Sequence, residues 1–245
     1  VGGSGGGNIT INLHTGMLSG GTGNAAGIDI DGGATNTVNI SSGATVTAQS
    51  GFAIQATDGV DQNGVARVIG NTTVNNSGSI VGNVDLGIGM GQVNNLAGGT
   101  FTTGSAINLG SGALVNAGRL DVGGAGNIIT TTLNGAFAQT TTGTYAVDVR
   151  FGGTSDLLAV NGIANVRGAI DPHLLSLLPN TPATILTASG GFIGVNDVTT
   201  VNSPTVTVDG QSRKPGVIGV RSAGAKVFAC RRSIGVGARL SDTPT

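Results

Sequence analysis

Residues 74–80 read VNNSGSI and residues 93–101 read VNNLAGGTF. The same order of Val or Leu, Asn, small residues, Gly and a later apolar residue returns as VNAGRL at 115–120 and LNGAF at 133–137. The starts at 74, 93, 115 and 133 lie 19, 22 and 18 residues apart. Ile11-Asn12 and Val38-Asn39 are looser copies, and the 36 residues from Val38 to Val74 make two steps of 18. A period of this length marks an array of small units, none of which can bury its apolar face alone.

Inside each step the apolar residues alternate, as in Val38 and Ile40, Val84, Leu86 and Ile88, Leu120 and Val122, and Val147 and Val149. Alternation is the period of a strand with one buried face. The runs last three to five residues before a Gly, Asn or Ser-Gly turn. Short strands on a repeat near 20 predict an all-β chain, a right-handed parallel β-helix or solenoid with a C-terminal cap. Crossovers between parallel strands are nearly always right-handed. Asn suits the corners, because it tolerates left-handed backbone angles and stacks on Asn in the next coil.

Composition agrees with strands and argues against helices. Gly makes up 46 of 245 residues, only 9% of residues are charged, and Glu is absent, so the usual helix-surface residues are scarce. The glycines keep no three-residue period, which excludes collagen. A hydrophobic content of 38% and mean hydropathy of +0.24 argue against disorder. Residues 1–210 carry four Arg and eleven Asp, a charge of −7, whereas residues 211–245 carry seven Lys or Arg and one Asp, or +6. An acidic body gives no footprint for nucleic acid. Cys230 is alone, so it forms no internal disulfide, and no run of about 20 apolar residues is present to span a membrane as a helix. The chain opens at Val1 without a signal-peptide pattern and reads as a fragment of something larger.

From Phe137 the pattern changes. Gly143-Thr144-Tyr145 leads into the alternation of Tyr145, Val147 and Val149, and then into a Gly-Gly turn. Gly153-Thr154-Ser155-Asp156-Leu157-Leu158-Ala159-Val160-Asn161-Gly162 follows, then a strand over 164–170 and Ile185-Leu186-Thr187-Ala188. This ordered run resembles the C-terminal end of the passenger domains of bacterial type V autotransporters. The likeness is specific over residues 135–195 and rests on composition and repeat over 1–134. It implies secretion through the outer membrane by a C-terminal β-barrel, with the segment beside that barrel acting as an autochaperone for the β-helix. The sequence departs from that pattern after Gly210, where an Arg-rich stretch replaces the alternating strands of a barrel.

Several residues are candidates for chemistry. Gly123-Gly124-Ala125-Gly126-Asn127-Ile128 matches a stretch of the calcium-binding nonapeptide, with Asn in place of the aspartate and a single copy. Asp29 and Asp31 share a strand face and read as solvated carboxylates beside Gly32-Gly33. Ser155 stands next to Asp156, but acyl transfer needs a base aimed at the serine. Of the two histidines, His14 is remote, and His173 follows Pro172 in a Leu-rich turn that reads as packing. Tyr145 reads as a strand residue over the core with its hydroxyl at the edge. The pairs Thr45/Thr47, Thr100/Thr102 and Thr205/Thr207 resemble those of ice-binding β-helices without keeping the register of the repeat.

These readings give coils over 1–138, an autochaperone-like cap over 139–210 and an atypical, poorly ordered basic tail over 211–245. The tail reads as a truncation product or a stretch read in another frame, with an ordinary basic terminus as the alternative. The expected function is structural and non-enzymatic: a secreted or surface-displayed stalk or adhesin whose C-terminal segment nucleates folding. No catalytic, cofactor or metal residue is assigned. The expected partners are a host-surface or matrix ligand and the translocator barrel, not nucleic acid. The alternative is a fragment of an enzymatic or ligand-binding β-helix whose active region lies N-terminal to Val1.

Overall fold

A computed structural model describes residues 7–60, 66–67, 69–176, 178, 181–193, 198–201, 206–211 and 216–222. The described chain is all strand, turn and loop, without a helix. It is built in layers, most of which place one strand on each of three faces. The first layer is β1 (Asn8–Leu13), β2 (Gly16–Gly20) and β3 (Ile28–Asp31), and the second is β4 (Thr35–Ile40), β5 (Ala44–Ala48) and β6 (Phe52–Thr57). A small antiparallel pair, β7 (Gly59–Val60) and β8 (Ala66–Arg67), leads to β9 (Asn71–Asn76) and β10 (Ser79–Asp85) of the third layer. Next come β11 (Gly91–Asn95), β12 (Thr100–Asn116), β13 (Arg119–Val122) and β14 (Thr130–Gln139). The sixth and seventh layers add β15 (Thr144–Arg150), β16 (Leu157–Val160), β17 (Ala164–Val166), β18 (Gly168–Ser176) and β19 (Pro182–Ala188). The chain finishes with β20 (Val198–Thr200), β21 (Val206–Gln211) and β22 (Gly216–Ser222).

Each layer pairs in parallel with the next. On the first face the order is β1, β4, β9, β11, the end of β12, the end of β14 and β17. The second face runs β2, β5, β10, β12, β13, β15, β18 and β20. The third runs β3, β6, β10, β12, β14, β16 and β19. Inward side chains therefore stack like on like. Ile11, Val38, Val74, Val93, Leu114 and Phe137 form one column, and Val46, Ile80, Phe101, Leu120, Tyr145 and Ile170 form another. All belong to or pack against one continuous core, where each buried Val, Leu, Ile or Phe contributes about 1.5–3 kcal/mol.

The corner between first and second faces explains the recurring Asn and Gly. Asn76 donates to Asn95 Oδ1 at 2.8 Å, Asn95 to Asn116 Oδ1 at 2.8 Å, and Asn116 to Gln139 Oε1 at 3.1 Å. Each amide also donates to a carbonyl past the turn: Thr100, Arg119, Thr144 and, from Gln139, Ala169. The ladder is buried and its donors are paired, the condition under which buried polar groups are tolerated. Two residues beyond Asn116, Gly118 packs so tightly that an added Cβ would lie 2.3 Å from the Gly99 carbonyl oxygen. Any side chain there would force the layers apart.

The observed register corrects the period read from the sequence. Val38 pairs directly with Val74, so those 36 residues form one long layer with the β7–β8 excursion, not two short ones. Val93 pairs with Leu114 rather than Val115. Leu133 lies on the third face, paired with Ile107, and Phe137 is the first-face successor of Leu114. Strands also run longer than the alternation implies; β12 continues for 17 residues across all three faces.

The two ends differ. Leu18, whose second-layer partner Val46 is fully buried, is 37% exposed at the start. At the other end β22 pairs antiparallel with β19, and β21 pairs antiparallel with β22. That reversal ends the parallel progression on the third face. The boundary drawn at residue 210 falls inside β21, and β22 lies beyond it. Residues 223–245, with Cys230, lie outside the described residues.

Candidate functional site

The stretch around Tyr145 joins three consecutive layers through polar contacts. Tyr145 points inward from β15 between Leu120 and Ile170 and is fully buried. Its hydroxyl donates to the Ile185 carbonyl at 2.6 Å, and its ring tilts 59° against Phe137 with centroids 6.4 Å apart. The hydroxyl is therefore inside the core and not at its edge, because β19 brings a carbonyl within reach. Burial pushes the phenol well above its ordinary range, so it remains a neutral donor.

Asp156 is buried just before β16. Its Oδ2 accepts from the Asp148 N–H at 2.6 Å and its Oδ1 from the Ile129 N–H at 2.8 Å. Burial raises its carboxyl to about 6; the two N–H donors oppose that rise, while Asp148 and Asp121 add to it. Asp148 is also buried, although it points outward from β15. Its Oδ2 accepts from the Gly126 N–H at 2.5 Å, and its Oδ1 lies 2.6 Å from His173 Nδ1. The Gly-rich loop at 123–127 thus uses a backbone donor to bind a carboxylate. Among the described residues no group of three His, Cys, Asp or Glu is placed to hold a metal ion.

His173 does not sit in a packing turn. It lies within β18 directly opposite Asp148, with its side chain 59% exposed. Among the described residues β20 pairs only with Gly168, Ala169 and Ile170 of β18, so Pro172 lies beyond the described pairing on that side, where its missing N–H breaks no described ladder bond. An oriented Asp–His pair is present, but Ser155 is turned elsewhere: its Oγ accepts from the Arg150 N–H at 2.9 Å and donates to the Arg150 carbonyl at 3.3 Å. The arrangement lacks the serine–base contact of a catalytic triad. It acts as a set of staples, which Arg119 extends by reaching across the sixth layer to Asp171 at 2.7 Å. Beside it Asp121 is raised, by burial first, with Arg119 opposing.

The remaining candidates fall on the outer faces. Asp29 and Asp31 alternate outward on β3, and burial, then Asp31, raises the Asp29 carboxyl. His14 is exposed after β1. Thr45 and Thr100 both pair with Ser79, and Val81 pairs with Thr102, so the two Thr-x-Thr pairs at 45/47 and 100/102 do share a register. The layer between them hid this, since it carries Ser79 and Val81. Thr205 lies outside the described residues.

One surface was not singled out from the sequence. On the first face Thr10, Thr37, Thr73 and Gln92 form an outward row, and Asn12, Asn39, Asn75 and Asn94 form the next. The Asn amides are joined in sequence, at 2.8, 2.9 and 2.9 Å. The signal was legible as Thr-x-Asn at 10, 37 and 73, but the irregular spacing of 27 and 36 residues concealed it. No protein-family model and no curated protein matches this chain.

Proposed function

We propose that this chain is a right-handed parallel β-helix from a passenger-type protein, a stalk or adhesin secreted or displayed at a Gram-negative cell surface. Its C-terminal layers nucleate the folding of the rest. The observation that supports this most is the concentration of buried polar fastening in one place. Tyr145, Asp148 and Asp156 tie β15, β18 and β19 to the residues that lead into β14 and β16, near the end where β21 and β22 pair antiparallel. A repeating stack folds from whichever unit is stable first, and specific polar contacts lower the number of alternatives there. On this reading the full-length protein carries a translocator barrel, and the outer faces meet a host-surface or matrix ligand.

Refolding kinetics test the nucleus. Tyr145→Phe and Asp156→Asn should slow refolding in proportion to their loss of stability, whereas Val38→Ala in the second layer should chiefly speed unfolding. The opposite pattern, with Val38→Ala slowing refolding and the C-terminal variants leaving it unchanged, would remove the nucleating role.

A further inference from the structure

The three faces differ in charge. The second carries Arg119, Asp121, Asp148, Asp171 and His173, and the third carries Asp29, Asp31 and Asp85. Across the seven described strands of the first face no residue is ionisable. Its outward positions begin with the Thr and Asn rows, continue with the small apolar Ala113, Val115, Ala136 and Ala138 and end with Asn165.

We propose that this first face is a self-association surface, which pairs with the same face of a second copy of this chain about a two-fold axis. Depletion of charge is what distinguishes the core of protein interfaces from ordinary surface. The other two faces set carboxylates against carboxylates when copies pair like on like, so an uncharged face is the approach that repulsion opposes least. The Asn row is suited to losing water, because its amides already bond to one another along the stack, which lowers the cost of burying them. The face is also large enough. Seven strands at about 4.8 Å by five residues at about 3.3 Å give roughly 550 Å² per copy, or about 1,100 Å² for the pair, just above the roughly 1,000 Å² a specific interface needs. A neutral glycan is the weaker fit, since the described strands of this face present no outward aromatic ring for a sugar to stack on.

This inference rests on the ladders and their side chains, and it stands or falls separately from secretion or nucleation. Sedimentation velocity of the full chain should show a concentration-dependent dimer. Its midpoint should stay nearly constant from about 0.01 to 1 M salt, over which the Debye length shrinks from about 30 to 3 Å. Gln92→Lys and Val115→Lys each bury an unpaired charge in a face that offers it no ionised partner and should weaken the dimer by more than tenfold. Thr47→Lys, on the second face, should leave it intact. Tyr145 fluorescence verifies that each variant is folded; if either face variant unfolds, the other and the salt series on the parent chain carry the test. A parent chain that stays monomeric, a dimer that dissolves as salt screens charge, or equal disruption by Thr47→Lys would overturn the proposal. So would capture of a neutral polysaccharide by a monomeric parent.

Discussion

The hydroxyl of Tyr145 donates to the main-chain carbonyl of Ile185 at 2.6 Å, across the interior and 40 residues away in sequence. Removing the hydroxyl leaves that carbonyl buried without this partner, which costs about 1–3 kcal/mol. Tyr145→Phe should therefore lower the unfolding free energy by that amount, read as a lower urea midpoint with an unchanged slope. A loss below about 0.5 kcal/mol would mean that the carbonyl finds another donor. Tyr145 is the only tyrosine and no tryptophan is present, so in the parent chain its fluorescence reports this region alone.

Asp156 gives folding a defined dependence on pH. Its folded carboxyl sits at about 6 against an ordinary 3.8, so the folded chain holds a proton that the unfolded chain releases. Stability from this group is therefore greatest below about pH 4, declines as pH rises to 6, and carries its full penalty above that. At about 1.4 kcal/mol per pKa unit the penalty is roughly 3 kcal/mol. Asp121 and Asp29, raised by burial as well, act in the same direction. Between about pH 4 and 6 the parent should lose stability relative to Asp156→Asn, read from urea midpoints at each pH. Parallel curves for the two chains would show that Asp156 is not the group responsible.

Alternation was the reliable signal in the sequence, because it depends only on which side of a strand is buried. Val38, Val74, Val93 and Leu120 all point inward as their spacing implies, whereas Ile88, read as continuing the alternation of Val84 and Leu86, is 83% exposed beyond the end of β10. Register was less legible, because Asn serves both sides of the wall. Asn94 is outward and Asn116 is inward, yet each follows a valine, so aligning Val93-Asn94 with Val115-Asn116 shifted the frame by one. Corner lengths also vary, and the third-face Leu133-Asn134 resembles a first-face pair. The Asp148–His173 contact was hidden for a different reason. It joins residues 25 apart on adjacent strands, and Pro172 made the second of those strands look like a turn.

The two Asn ladders should differ sharply in what they contribute. Asn95 is buried, accepts from Asn76 and donates to both Asn116 Oδ1 and the Arg119 carbonyl. Asn95→Ala strands both acceptors, and at about 1–3 kcal/mol for each buried unpaired group the expected loss is about 2–4 kcal/mol. Asn94→Ala, one residue earlier, breaks a chain of amides that water can replace, and its cost should stay within about 0.5 kcal/mol. Chemical denaturation of the two variants decides this, and equal losses would place the stabilising ladder on the wrong side of the wall.

Two glycines distinguish close packing from backbone strain. At Gly118 an added Cβ meets the Gly99 and Leu96 carbonyl oxygens at 2.3 and 2.4 Å, and both contacts are main chain, so neither can swing aside. Gly118→Ala must push adjacent layers away from each other, a form of overpacking that costs about 1–3 kcal/mol or more. At Gly43 the space is open, but φ is +84, so Gly43→Ala costs only the left-handed penalty of about 1–2 kcal/mol. Asn tells the two mechanisms apart, because it tolerates the left-handed region yet still carries a Cβ. Gly43→Asn should recover some of the stability lost in Gly43→Ala, whereas Gly118→Asn should be at least as damaging as Gly118→Ala. Melting temperatures of the four variants test this. Recovery by Asn at position 118 would show that the position requires a backbone angle and not the absence of a side chain.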